Sequence, residues 1–207
     1  MKNTVITISR MYGSGGKTIA EMISKELNIP YYDKDLIKLA SEESGINEAL
    51  FAKADEKVNG GSLFKIAKKV YTGEVLSPSS KNFTSDENLF NYQAKIIKEL
   101  AQTESCVIVG RCSNFILKDF DNVLSVFIHA PLDFCLEKAK EKNNLTGNDL
   151  KDFVNKTNKQ KEVYYKKYTG LDWSDARYYD LCLDSSKLGY ERCVEVITGY
   201  KKVRFGE

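Results

Sequence analysis

The sequence has a single histidine, no cysteines spaced C-x-x-C, no large excess of either charge and no apolar run approaching the ~20 residues of a membrane span. Each absence removes a class of function. The lone histidine, His129, closes the apolar run VLSVFIH and is expected as a strand-end or packed residue rather than a catalytic base. The five cysteines, Cys106, Cys112, Cys135, Cys182 and Cys193, are odd in number and scattered, which argues against a disulfide framework and against a zinc site. All but Cys112 lie in or beside apolar stretches and are expected as small buried side chains. Lys and Arg total 31 against 29 Asp and Glu, so no strongly basic field holds the chain to nucleic acid. The opening MKNTVITIS is too short an apolar stretch for a secretory signal, and a cytoplasmic protein without a membrane partner is expected. No internal repeat is visible.

What is present is enough for one well-buried core: 207 residues, 42% of them hydrophobic, which predicts a single domain. TVITIS (Thr4 to Ser9) is a β-branched run. Glycines follow it, and then Ile19, Met22, Ile23 and Leu27 at the spacing of one helix face. That helix should end near Asn28-Ile29-Pro30, because proline disfavours helical geometry at the residue before it. Tyr31 to Asp33 is a second short strand ending at an acid. Helical pieces are expected from Asp35 to about Val70, broken at Gly45 and at Asn59 to Gly61. A mobile loop is expected over Thr72 to Asn88, with a helix resuming at Leu89. Cys106 to Gly110 and Val123 to Ala130 are near-continuous apolar runs, the pattern of strands buried on both faces of a parallel sheet. Two helices around a turn at Gly147, a strand over Tyr179 to Asp184 and a closing helix over Val194 to Val203 complete the pattern. Alternating strands and helices predict a doubly wound α/β domain, whose ligands bind beyond the carboxyl ends of the strands. That rule gathers Met11 to Thr18, Asp33, Asp35, Gly110 with Arg111, and Asp184 to Lys187 into one neighbourhood.

Within it, Met11 to Thr18 (MYGSGGKT) matches the phosphate-loop pattern GxxxxGK[ST] at every fixed position except the first glycine. Gly13, Gly15 and Gly16 permit the curl that turns backbone N–H groups, Ser14's included, toward phosphate oxygens, and the following helix start adds its own free N–H groups. Lys17 would reach the β- and γ-phosphates, and the Thr18 hydroxyl would ligate Mg²⁺. A glycine-rich turn with an incidental lysine is the alternative.

Four blocks in order, ITISRMYGSGGKTIAEMISKELNIPYYDKDLI, VIVGRCSNFIL, VFIHAPLDF and YYKKYTGLDWSDARYYDLCLDSSKLG, resemble the cytidylate kinase-like family of P-loop kinases. The resemblance implies a P-loop kinase fold with a five-stranded parallel sheet. It places the core at 1–34, 89–144 and 174–207, an acceptor-binding helical region at about 35–88 and a lid at about 145–173. In this family the position of Met11 usually holds no glycine, so Met11 reads as a family feature. Three departures stand out. Lys17-Thr18 replace the family's usual Arg-Glu. Asn158, Lys159, Gln160 and Lys161 stand where the lid usually carries Asp, two residues and Arg. Cys135 stands where an arginine is common.

The resemblance implies ATP and Mg²⁺ as cofactors and transfer of the γ-phosphoryl group to a small acceptor, with a pyrimidine nucleoside monophosphate such as CMP or dCMP favoured. Lys17 and the loop would hold the donor. Asp33 and Asp35 would orient the acceptor or the hydrated magnesium, with helix capping as the alternative for Asp33. Arg111 would grip the acceptor phosphate, with a surface ion pair as its alternative, and Cys112 beside it could line the acceptor pocket. Lys159, Lys161, Lys166 and Lys167 would arrive with the lid. The aromatics Tyr31, Tyr32, Tyr164, Tyr165, Tyr168, Trp173, Tyr178 and Tyr179 include candidates for base stacking, although packing under the lid accounts for most. A kinase for another metabolite, or a nucleotide-binding regulatory protein with weakened catalysis, are the competing readings.

Overall fold

The computed structural model describes residues 3–56 and 73–206. The chain alternates strand and helix from its start: β1 (Val5–Arg10), α1 (Gly16–Leu27), β2 (Tyr31–Tyr32), α2 (Asp35–Ser44), α3 (Glu48–Glu56), α4 (Asp86–Thr103), β3 (Cys106–Val109), α5 (Ser113–Ile116), β4 (Val123–His129), α6 (Leu132–Lys140), α7 (Gly147–Thr169), β5 (Leu181–Asp184) and α8 (Ser185–Phe205). The five strands form one parallel sheet in the order β2-β3-β1-β4-β5. β1 lies at its centre, with Val5 beside Cys106 on one side and Val123 on the other.

Both faces of the sheet are covered, as its uninterrupted apolar strands require. On one face Ile6, Ile8, Val107, Val109, Leu124 and Val126 pack against Ile19 and Ile23 of α1 and Val194 and Ile197 of α8. On the other, Val5, Cys106, Ile108 and Phe127 meet the helical layer of α2, α3, α4 and the end of α7 through residues such as Leu36, Phe51, Ile97 and Tyr165. The doubly wound α/β sheet anticipated from the sequence is thus present.

α1 ends at Leu27, beside Asn28-Ile29-Pro30 as expected, where Asn28 takes left-handed geometry (φ 50°) as its C-cap. Several other element bounds differ from the sequence reading for local reasons. α4 begins at Asp86 rather than Leu89, since the Ser85 side chain accepts the Asn88 N–H as an N-cap. Asn88, itself buried, accepts from the Leu76 N–H at 2.7 Å and donates to the Phe83 carbonyl at 2.7 Å, tying the loop before α4 to the helix. α8 starts nine residues before Val194, with a bend at Gly189 (φ 76°, ψ 167°). The one-turn α5 and a 3₁₀ turn at Ala176–Tyr178 carry no periodic signal and were not anticipated. His129 ends β4 as expected. Cys182 does not follow its expected burial: it is exposed, because β5 is an edge strand with one side chain in two facing outward. The expected helical pieces from 57 to about Val70, the break at Asn59 to Gly61 and Thr72 lie outside the described residues. No helix among the described residues is long and apolar enough to cross a membrane.

Candidate functional site

The loop between β1 and α1 curls at Gly13 (φ 84°) and Gly15 (φ 78°), in the left-handed region that favours glycine. Close approach reinforces both positions. A Cβ on Gly13 would lie 2.3 Å from the Cys135 carbonyl oxygen, and one on Gly15 would lie 2.2 Å from the Tyr190 ring. α1 has neither a side-chain cap nor an acidic residue in its first turn, which leaves the helix start to an anion. Ser14 contributes backbone rather than hydroxyl: its Oγ is buried and donates to the carbonyls of Met11 (2.9 Å) and Ile128 (3.1 Å), anchoring the loop to the sheet. The Ser185 hydroxyl fixes the same turn from the start of α8 by donating to the Ser14 carbonyl at 2.7 Å. The loop opens on a cavity of about 480 Å³ lined by Gly13, Gly15, Gly16, Lys17, Thr18 and Tyr190.

A second cavity, about 270 Å³, lies beyond the ends of β1, β2 and β3 and is lined by Asp33, Arg111, Cys112, Tyr164, Tyr165 and Trp173, among others. Asp33 has only 15% of its side chain exposed and stands between two cations, Arg10 Nη2 at 3.6 Å and Lys17 Nζ at 3.7 Å. It does not cap α2, whose N-cap position is Lys34. Arg111 donates from Nε to the Asp33 carbonyl at 3.3 Å and from Nη1 to Gln93 Oε1 at 2.8 Å. Gly110, Arg111 and Cys112 take φ of 77°, 55° and 56° in succession. For the two non-glycine residues this left-handed geometry is uncommon, and its concentration at the end of a buried strand fits a loop shaped for a site.

The two cavities share Arg10, Thr157 and Lys161. α7 supplies the last two by lying across the loop. Asn158 Oδ1 accepts the Tyr12 N–H at 2.7 Å, Phe153 meets the Tyr12 ring edge-on at 5.3 Å, and Lys161 Nζ donates to the Arg10 carbonyl at 3.3 Å. Burial, with Arg10 adding to it, pushes the Lys161 ammonium down to about 7, against the opposing pull of Asp33 and Cys135.

Not every residue expected at the site is there. Lys159 points outward and pairs with Glu162 at 3.1 Å, Lys166 is exposed, and Lys167 pairs with Asp86 at 3.0 Å on α4. Asp35 is exposed on the first turn of α2 and lines neither cavity. Of the aromatic candidates, Tyr164, Tyr165 and Trp173 line the second cavity, whereas Tyr168 stacks on Phe90 at 4.0 Å. Cys135 is fully buried beneath the loop with Sγ directed to the Ala130 carbonyl at 3.7 Å, and burial raises its thiol pKa. The sequence reading missed Arg10, Asn158 as a loop ligand, Gln93 and Tyr190. Arg10 alone carried a signal, its place immediately before the loop; the rest depend on packing between distant segments.

The model of the cytidylate kinase-like family matches residues 5–187. The cytidylate kinase of Sulfurisphaera tokodaii is 23% identical over 197 residues, covering 95% of this chain and 94% of that protein. Among solved structures, an uncharacterized protein from Eubacterium ventriosum superposes with a TM-score of 0.70 at 26% identity, over 97% of this chain and 99% of the other. A gluconokinase from Sinorhizobium meliloti shares the fold at 12% identity, with a TM-score of 0.54 over 99% and 97% of the two chains. A family match over residues 5–187, on a parallel sheet whose first strand runs into a glycine-curled loop and a bare helix start, means that this chain belongs to the cytidylate kinase-like family of P-loop phosphotransferases.

Proposed function

We propose that the protein transfers the γ-phosphoryl group of ATP to a pyrimidine nucleoside monophosphate, CMP or dCMP. The observation that carries this reading is the pair of abutting cavities: one is floored by the phosphate loop, the other contains Asp33 and Arg111, and they meet at Arg10 and Lys161. The likeness to cytidylate kinases supports the choice of acceptor.

The residues present fit a magnesium-bound nucleotide. Gly13 and Gly15 give the loop its left-handed curl, and the uncapped start of α1 and Lys17 line the cavity it opens on. Magnesium would be held by the Thr18 hydroxyl and would supply charge neutralisation on the donor phosphates. Phosphoryl transfer asks mainly for alignment. Lys17 holds the donor phosphates, Asp33 orients the acceptor, and Arg111, braced by Gln93 and the Asp33 carbonyl, grips the acceptor phosphate. An acceptor phosphate oxygen then bonds to the γ-phosphorus while its bond to the bridging oxygen breaks, leaving ADP. α7, laid across the loop, excludes water that would otherwise hydrolyse the donor.

ADP release measured over a panel of acceptors tests the reading, with CMP or dCMP expected to stimulate it most. The cavity's modest size, about 270 Å³, favours as a second reading a compact hydroxylated acid, which belongs in the same panel. Saturable ATP binding without stimulation by any acceptor would point instead to a regulatory protein. Lys17→Ala removes an ammonium facing the donor phosphates and leaves the glycines in place. Turnover is expected to fall by about 10²-fold or more, the scale of losing one preorganised donor to transition-state charge. Unchanged ATP affinity and turnover would remove Lys17 from the site.

A further inference from the structure

We infer that Arg10 is a further catalytic residue, an arginine supplied from within the chain that contacts the phosphoryl group in transit between donor and acceptor. The inference rests on the kinase reading above. Four features of the structure support it.

The first is position. Arg10 is the last residue of β1 and lines both cavities, at the junction where a transferred group would pass. The second is the space kept for it. A Cβ on Gly16 would come within 2.4 Å of Arg10 Cβ, and a Cβ on Gly110 within 2.3 Å of Arg10 Nη1. Two glycines from different loops therefore open a passage for this one side chain, and Gly16 serves the arginine as much as the phosphate curl. The third is the guanidinium's spare capacity. Only 24% of the side chain is exposed, yet its one ion-pair partner among the described residues is Asp33, at a loose 3.6 Å, and its planar fork of N–H donors makes no hydrogen bond among them. Taking a cation out of water in that state is costly unless an anion completes it. The fourth is convergence. Lys17 Nζ, 3.7 Å from the other oxygen of Asp33, approaches the same carboxylate, so both cations are aimed at one point in the site.

The chemistry explains the lid. Its lysine, Lys161, offers charge without the two-pronged grip of an arginine. Arg10, whose carbonyl accepts from Lys161 at 3.3 Å, brings that grip from the floor of the site. A planar guanidinium there would gather charge as it spreads over the equatorial oxygens of the phosphoryl group.

The test compares Arg10→Ala and Arg10→Lys with the unaltered enzyme. Affinities for ATP and ADP, measured by titration calorimetry, read the γ-phosphate contact without requiring turnover. The preference for ATP over ADP is expected to shrink about tenfold in Arg10→Ala, with ADP affinity within threefold. Acceptor-dependent kcat is expected to fall about 10²-fold or more, to stay low in Arg10→Lys, and to recover at least tenfold when millimolar guanidinium is added to Arg10→Ala but not to Lys17→Ala. An ATP preference and kcat within threefold of the unaltered enzyme would overturn the assignment. If Arg10→Ala does not fold by circular dichroism, Arg10→Lys decides alone: a kcat equal to the unaltered enzyme's overturns it, and a tenfold or greater loss at unchanged melting temperature supports it. Absence of turnover with every acceptor in the unaltered enzyme would count against the kinase reading, while the ATP-to-ADP ratio would still judge Arg10.

Discussion

At the scale of single residues, the phosphate loop is shaped by what its glycines face. Gly15 combines left-handed backbone with a neighbour, Tyr190, that leaves no room for a Cβ. The two constraints separate in a double variant. Gly15→Ala is expected to cost about 1–2 kcal/mol from the backbone alone, with more from displacing the tyrosine ring, and to lower the melting temperature by about 2–4 °C for each kcal/mol. Adding Tyr190→Ala should recover the ring collision and leave the backbone cost, a coupling that thermal unfolding of the four combinations measures. Additive losses would show that the ring yields freely. The sequence made the backbone half of this legible, since GSGG followed by Lys17-Thr18 is a phosphate-loop pattern. The packing half was invisible, because Tyr190 is 175 residues away and reaches Gly15 only after α8 bends at Gly189.

At the scale of elements, α7 behaves as a strap fixed at its middle and at its C-terminal end. Its middle touches the loop through Asn158 and Lys161, and its last turns rest on α4 through the stacking of Tyr168 on Phe90. Charge was legible in the sequence as a lysine-rich stretch; which lysines face inward was not. Lys159 and Lys161 are only two residues apart, so on a helix they diverge by about 200°, and only the second enters the site. The consequence for Lys161 is a pH dependence. With a folded pKa of about 7 against an ordinary 10.5, the unfolded chain binds the extra proton between those values, so stability of the unliganded protein rises with pH across that window. A bound polyphosphate favours the charged ammonium and raises the pKa again. ATP binding at pH 8 is therefore expected to take up close to one proton, and its affinity to weaken by up to tenfold per pH unit above 7. Calorimetry in buffers of different ionisation enthalpy counts that proton, and Lys161→Met should abolish the uptake. Uptake that persists in the variant would assign it to another group.

At the scale of the whole molecule, the strand order does what no single motif can. The alternation of apolar runs and helical spacings was enough to read a doubly wound sheet, because each strand's burial is written in its own residues. The order β2-β3-β1-β4-β5 was not legible from that pattern, yet it is what sets the ends of β1, β2 and β3 side by side and carries Arg111 to the Asp33 carbonyl across 78 positions of sequence. A ligand bound there touches segments from β1, α1, β3 and α7, so it ties together elements that unfolding would separate. Binding to the folded state alone stabilises it by about 2.7 kcal/mol at a hundredfold excess over Kd, which for a chain of this length corresponds to a rise of about 5–10 °C in melting temperature. Mg²⁺-ATP is expected to give such a rise, CMP to add to it when both cavities fill, and Lys17→Ala to lose the ATP component while keeping the CMP one. A melting temperature that moves with neither ligand would show that the folded protein binds neither at these concentrations. One that moves with CMP in the unaltered protein but not in Arg111→Ala would locate the acceptor phosphate at the end of β3.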